Sequence, residues 1–293
     1  MAILKELLLS VRPWSFSASI VPSIIGIILV RTNPDHNPTM CLICSTLFTV
    51  LLIHAAGNLN NTFCDFINGV DQKDSTHDPT LTDAKLTKDQ LLLLRNVCYI
   101  ASLFSLTFTV VYSPASHLSL IVLYSLGVVS SLIYTGWIAL KYRALGDFLI
   151  FLTFGPLVTE FSYLSCSGFL SGRAAVLVLP MATNAVAILH ANNMRDEVAD
   201  RKAGILTLPM VLGKHISRQL MIVLLFSSYI FLLLIIAFTC NLLFVLPALT
   251  AFALVPLYKR VQEFDMIGLP ETLAKLNLVQ GLLYCFTLLF SNI

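Results

Sequence analysis

The feature that most limits what this chain can fold into is a succession of apolar stretches, each long enough to fill the hydrocarbon layer of a bilayer. Nine can be drawn, near 15–31, 41–67, 90–112, 117–138, 145–167, 174–194, 217–239, 241–259 and 271–291. About 20 apolar residues cross roughly 30 Å of hydrocarbon as a helix, the form that pairs every backbone polar group internally. Of the 293 residues, 57% are hydrophobic and 12% charged, and the mean hydropathy is +0.85. That leaves too little polar surface for a soluble domain of this length. The expectation is an all-α, polytopic membrane protein with nine transmembrane helices in a single domain over 1–293, the bundle itself occupying 13–291.

Residues 1–12 open as a secretory signal could, yet no small-residue cleavage site follows the apolar stretch. Leu4, Leu7, Leu8 and Val11 share one helical face opposite Lys5 and Glu6. This predicts a short interfacial helix leading into the first span. The net charge of +2, without a basic tract, gives no footprint for nucleic acid. The seven cysteines lie mostly in or beside apolar runs. Cys41 and Cys44 form a CxxC with no second ligand pair nearby, so they read as small apolar fillers rather than a zinc site.

The charges are not distributed evenly. Of 18 Lys and Arg, only Arg31 and Arg173 fall in the loops after odd-numbered spans. The excess on the other side places the N-terminus and the even loops in the cytoplasm. The carboxylates share that face, apart from Asp35 outside and Glu160 within the fifth span.

Two stretches on this face are alike: GNLNNTFCDFINGVD (57–71) and LHANNMRDEVADRKAGILTLP (189–209). Each has an Asn followed four residues later by Asp, Asn61 to Asp65 and Asn192 to Asp196, and four spans lie between them. An even number of crossings returns the chain to one side, as a degenerate duplication of a four-helix unit would. Asn192, Asp196 and Asp200 form a stripe at helical spacing, as do Asn58, Asn61 and Asp65. Asp71 is off that face in a continuous helix, and Gly69 is where a helix could end and bring it round.

A carboxylate buried in a membrane helix costs about 2.5–3.5 kcal/mol on insertion scales, so aligned carboxylates imply a compensating cation. Carboxylate and amide oxygens suit a hard ion such as Mg²⁺, which commonly bridges one or two carboxylates to a substrate phosphate. Two facing clusters would clamp a diphosphate and make it a leaving group. Lys141 and Arg143, Arg195 and Lys202, and Lys73 would complete the neutralisation. Solvated charges at a helix end explain one such motif well, but two at matched positions poorly.

At these residues the chain resembles the UbiA family of intramembrane prenyltransferases, and within it the menaquinone (vitamin K2) branch of animals. RPWSFSAS (12–19), YTGWIALKYRALGD (134–147), FGPL (154–157) and AKLNLVQGLLY (274–284) carry the resemblance further, so that it spans 12–284. It implies nine helices around a central cavity, capped by polar loops and open laterally to lipid. It also implies that Asp65, Asp71, Asp196 and Asp200 form the catalytic set and hold Mg²⁺ with Asn61 and Asn192. Lys141 and Tyr134 would meet the diphosphate, with Asn193 among the substrate contacts. The reaction implied is transfer of a prenyl group from an isoprenoid diphosphate such as geranylgeranyl diphosphate to a naphthoquinol. The resemblance further implies an endoplasmic reticulum or Golgi membrane and a sterol-synthesis reductase as partner.

The chain departs from its relatives in four places. His77, Asp78 and Pro79 stand where a basic residue is usual, which puts the diphosphate contacts of that loop in doubt. Trp137 replaces a usual Gly beside Lys141 and would narrow the site, or stack on the acceptor. Val186 replaces an acidic residue, and Glu160 replaces an apolar one. An intramembrane Glu is a candidate functional group, with a protonated or water-linked Glu as the plainer reading. Two other activities stay open: a prenyltransferase for 4-hydroxybenzoate, and a secondary transporter, whose polar groups would sit nearer the bilayer midplane.

Overall fold

The computed structural model describes residues 2–30, 37–72 and 78–291. Among these the backbone is helical almost throughout, without a β-strand; a lone parallel bridge joins Arg143 to Leu206. A short helix, α1 (Ala2–Ser10), precedes the main bundle. The bundle begins with α2 (Ser17–Val30), α3 (Met40–Ile67), α4 (Lys88–Tyr112) and α5 (His117–Ile133). It continues with α6 (Gly146–Ser167), α7 (Leu179–Arg195), α8 (Leu208–Thr239), α9 (Leu242–Glu263) and α10 (Leu269–Phe290).

The chain is thus an all-α, multi-pass membrane protein. Seven stretches of the described residues are long and apolar enough to cross a bilayer, where nine crossings were expected. The other two, α5 and α7, have 17 residues each. In the sixth expected span the apolar run is broken: Gly172–Leu177 forms its own piece, and Pro180 in the first turn starts α7 afresh. Proline lacks the N–H that a continuing helix would need, but fits a helix start. A similar break kinks α6 at Thr153–Leu157, where Pro156 follows the non-helical Gly155.

Helix packing is close because glycines sit at the crossings. A Cβ on Gly26 of α2 would lie 2.5 Å from the Thr159 carbonyl of α6. One on Gly281 of α10 would lie 2.5 Å from Cγ1 of Val21 in α2. Small residues let membrane helices approach until their backbones touch, which supplies the dispersion attraction that water cannot supply there. Around these crossings Val21, Ile25, Met181, Leu232 and Tyr284 are buried in one apolar cluster.

Two expectations about single elements are resolved. On α1, Leu7 and, just beyond it, Val11 pack against a cluster that includes Ala55, Leu59 and Leu91, while Leu4 and Leu8 stay exposed. The N-terminal helix is therefore docked on the bundle by half of its apolar face. Glu160 serves the fold, since its Oε2 accepts the Ser171 N–H at 2.8 Å and so clasps the turn that follows α6.

Filling the crossings should be costly, since overpacking costs about 1–3 kcal/mol per site. Gly26→Leu and Gly281→Leu are expected to lower the thermal midpoint of the detergent-solubilised protein by several degrees. Gly172→Ala, whose Cβ meets nothing within 4 Å, should leave it unchanged. Equal midpoints for all three would show that these contacts do not hold the bundle.

Candidate active site

Both aspartate motifs lie where a helix ends. In α3 the last turn closes as Gly69 takes φ +74°, a left-handed value that glycine adopts without steric cost. The amides of Val70 and Asp71 then fold back onto the Asp65 carbonyl at 2.9 and 3.3 Å. Asp71 thereby returns to the opening that Asp65 faces. The second motif is less regular than its spacing implied. The helix bends at Asp196 and resumes as Glu197–Lys202. The i→i+4 bonds pass through the bend, Asp196 N–H to Asn192 O and Asp200 N–H to Asp196 O, both at 3.0 Å.

The two helix ends wall a polar chamber of about 290 Å³. It is lined by Asp65, Asp71, Asp196 and Asp200, together with Asn61, Asn192, Asn193, Lys141 and Arg195. Beside it is an apolar cavity of about 220 Å³, lined by Tyr134, Ile53, Phe154, Phe161 and Leu189 among others. Arg12, Trp14, Asn61, Lys141, Asn192 and Glu271 line both and form the neck between them. Lys202 is exposed and lines neither space. Lys73 lies outside the described residues, as do His77 and Asp35. Arg143 is exposed and lines neither space. Its neighbours Tyr142 and Ala144 form backbone bonds with Leu206 at 3.2 and 2.8 Å, stitching the Lys141 loop to the segment after Asp200.

Within the chamber each motif is neutralised by a basic side chain. Lys141 Nζ donates to both oxygens of Asp65, at 3.0 and 2.8 Å, and Tyr142 Oη donates to Oδ1 at 2.7 Å. Burial by itself pulls the Lys141 ammonium down, but Asp65 more than offsets this and holds it above its ordinary value. Arg195 grips Asp196 with two bonds of 2.8 Å and reaches Glu271 at 3.7 Å. Arg12 donates to Asp78 at 2.7 Å. Burial pushes the Asp78 carboxyl up, yet Arg12, with hydrogen bonds from Thr62 and Thr80, keeps it well below the usual carboxylate range.

Asp200 is different. It is buried, neither carboxylate oxygen has a hydrogen-bond partner, and the same holds for Oδ1 of Asn61 across the chamber. Burial, then the charges of Asp196, Asp65 and Asp71, push Asp200 up to about 7, with Lys141 opposing. Among the described residues no three carboxylates, imidazoles or thiols converge closely enough to enclose an ion alone. The unpartnered oxygens nevertheless fit a hard cation that keeps waters and shares them with an anionic ligand. The donors present, all oxygen, are the kind such an ion takes.

Several residues of the site were not legible in the sequence. Arg12 stands there only as a charge beside the first span; it is drawn in by Asp78, 66 residues away. Hence the loop 78–82, expected to lack a cation, has one supplied by the N-terminal segment. Tyr142, Trp14 and Glu271 carried no spacing signal. Trp137 does not narrow the site: it is 79% exposed, with φ +49°, and lines neither space. Val186 is packed in an apolar cluster with Met221 and Leu225. Behind the second motif, His190 Nδ1 pairs with Asp147 and Nε2 with Ser217 Oγ, each at 2.9 Å, joining α6, α7 and α8.

Paired aspartate-bearing helix ends over an apolar cavity, inside a bundle of membrane helices, make a candidate active site of a membrane-embedded protein. The chain belongs to the UbiA prenyltransferase family, which it matches over residues 19–275. It is similar to the UbiA prenyltransferase domain-containing protein 1 homolog of Drosophila melanogaster, with 40% identity covering 96% of this chain and 78% of that protein. The UbiA prenyltransferase domain-containing protein 1 of Homo sapiens is 38% identical, over 97% of this chain and 83% of that one. Among solved structures, the apo UbiA homolog from Aeropyrum pernix K1 superposes with a TM-score of 0.66 at 14% identity, covering 92% and 95% of the two chains. The UbiA homolog from Archaeoglobus fulgidus bound to GPP and Mg²⁺ gives 0.61 at 12%, covering 98% and 100%. At such identities the likeness is one of fold.

Removing one partner of a buried ion pair strands the other, at a cost of about 3–5 kcal/mol. Lys141→Met should therefore lower the thermal stability of the metal-free protein sharply, and Asp65→Asn added to it should recover most of the loss. Thermal unfolding in detergent measures both. A double variant no better than Lys141→Met would mean that Lys141 stabilises through packing.

Proposed function

We propose that this chain transfers a prenyl group from an isoprenoid diphosphate to a naphthoquinol in a Mg²⁺-dependent reaction, as in menaquinone (vitamin K2) biosynthesis. One observation carries the reading: a carboxylate-rich chamber adjoins an apolar cavity, and six residues line both. A molecule with an anionic head and a hydrocarbon tail fits that division, its scissile bond falling at the neck. Asp65, Asp71, Asp196 and Asp200, with Asn61 and Asn192, are the residues that would hold the metal. Bound Mg²⁺ supplies the positive charge that makes the diphosphate a leaving group.

The chain's own residues do the rest. Lys141 and Arg195, now paired with carboxylates, are placed to exchange those partners for diphosphate oxygens as charge builds on them. Arg12 and Lys85 line the same chamber and add to its positive side. Tyr134, beside Lys141, faces the reacting end of the prenyl chain from the cavity. The apolar wall keeps water from the allylic cation, so that an electron-rich ring captures it: a C–C bond replaces the C–O bond to diphosphate, and the proton of the attacked ring carbon passes to a chamber carboxylate. A reduced quinol is rich enough for this, whereas an oxidised quinone is not. The loop charges support a cytoplasmic chamber. The endoplasmic reticulum or Golgi membrane, and a sterol-synthesis reductase as partner, rest on family resemblance alone. Carboxylates at helix ends, rather than at the midplane, favour this reading over a transporter.

EDTA should abolish turnover of geranylgeranyl diphosphate, and Mg²⁺ should restore it; full turnover in metal-free buffer would sink the mechanism. Asp65→Asn or Asp196→Asn should lower kcat by about 10²-fold or more, in line with the loss of an electrostatic clamp. The acceptor is checked by supplying reduced menadione and 4-hydroxybenzoate in parallel. Prenylation of only the single-ring acid would overturn the naphthoquinol assignment and leave prenyl transfer standing.

A further inference from the structure

Some polar groups around the apolar cavity are tied to partners behind its wall. Tyr124 Oη pairs with Ser102 at 2.9 Å, and Ser131 pairs with Tyr99 Oη at 2.9 Å. His54 on α3 is an exception. Its ring is buried between Phe16, centroids 5.3 Å apart, and Phe154, centroids 4.6 Å apart. Its polar contacts are two serines: Ser19 Oγ at 2.8 Å from Nδ1 and Ser15 Oγ at 3.3 Å from Nε2. With His54, both serines line the cavity.

The serine contacts are met by the tautomer that carries its proton on Nδ1. Ser15 Oγ donates to the Arg12 carbonyl at 2.8 Å and accepts from Asn58 Nδ2 at 3.0 Å. Ser19 Oγ donates to the Phe16 carbonyl at 3.2 Å. In that tautomer both hydroxyl protons go to carbonyls and the short contact at Nδ1 is an N–H donating to Ser19. Nε2 then carries a lone pair, and the proton of its neighbour Ser15 points elsewhere. The 3.3 Å contact to Ser15 then brings Nε2 no proton, and a ligand hydroxyl would supply one.

We propose that His54 binds the aromatic acceptor, its Nε2 accepting a hydrogen bond from a ring hydroxyl, and that it selects a neutral hydroxylated ring over one bearing a carboxylate. The proposal rests on the prenyl-transfer reading above. His54 lies seven residues before Asn61 at the neck, about 10 Å along the helix. That leaves room for one ring system between the imidazole and the reacting end of the prenyl chain. A hydroxyl that donates to Nε2 gains phenolate character, which enriches the ring carbons beside it, where a new C–C bond would form. A carboxylate placed there would face two phenyl rings, two serines already engaged and a neutral imidazole. It would be left desolvated there, since the cations that line the cavity, Arg12 and Lys141, stand at the neck and are paired with Asp78 and Asp65.

The test compares wild type, His54→Leu and His54→Gln as full-length protein in detergent, each first checked by thermal unfolding. Binding of reduced menadione and of its dimethyl ether, which keeps the rings but has no O–H, is measured without prenyl donor. Wild type should prefer the quinol. His54→Leu should lose that preference and bind the quinol about 10-fold or more weakly. His54→Gln, whose amide oxygen also accepts, should regain part of it. In turnover the acceptor KM should rise in His54→Leu while the donor KM stays unchanged. A quinol preference that survives in His54→Leu, or equal loss for donor and acceptor, would overturn the proposal. The binding arm needs no product, so it reads His54 separately from the reaction assignment. If wild type prenylates no naphthoquinol yet binds the quinol through His54, only the reaction assignment fails.

Discussion

Everything at this site follows from holding several carboxylates beside a hydrocarbon cavity, where an unpaired charge is far more costly than in water. The Lys141–Asp65 pair answers that constraint for the first motif. It is buried on both sides, with Tyr142 sharing one oxygen. An exposed pair of the same geometry would be worth about 0–1 kcal/mol; here the low dielectric makes either partner indispensable to the other. The pair also spans 76 residues of sequence, fastening the end of α3 to the loop between α5 and α6. The chamber wall is thus held by the charges that its chemistry requires. On the proposed reading a diphosphate would compete with a carboxylate for Lys141, a threshold that a weakly charged ligand would not cross.

The same constraint explains why the polar and apolar halves are separate yet share a rim. Asn61 and Asn192 stand at equivalent places on α3 and α7, where each helix passes from lipid-like to water-like surroundings. An amide there is polar enough for the chamber and neutral enough for the cavity. One turn further out come the aspartates. Deeper along α3, the polar residues are the uncharged Asn58 and His54, each bonded to the N-terminal segment. Charge falls away with depth along a single helix, and this gradient orients a head-and-tail substrate before any specific contact is made.

Much of this was legible in one dimension. Apolar run lengths give the helices, and Asn-to-Asp spacing gives the two facing helix ends. Gly69 marks where α3 must stop for Asp71 to rejoin it. What was hidden depends on contacts between distant segments. Arg12 meets Asp78 only because α1 docks on α3, and the trio of His190, Asp147 and Ser217 draws on three separate helices. The bend at Asp196 is invisible too, since a stripe at helical spacing looks the same whether or not the helix pauses within it. Trp137 misleads for a related reason: proximity to Lys141 in sequence says nothing about which way a turn points. The sixth expected span looks continuous because its apolar character runs on through Pro180, where the backbone does not.

The backbone bonds between the Lys141 loop and Leu206 have a mechanical meaning. Main-chain pairing on either side of Arg143 joins the loop bearing Lys141 to the segment following Asp200, so these two parts of the wall are braced against each other. The opposite wall is fastened by side chains, Arg12 on Asp78 and Asn58 on the Val11 carbonyl. Side-chain bonds at a membrane surface exchange with water one at a time, whereas a backbone bridge gives way as a unit. The chamber is therefore framed unevenly: main-chain bonds brace the Lys141 side, and side-chain bonds hold the N-terminal side.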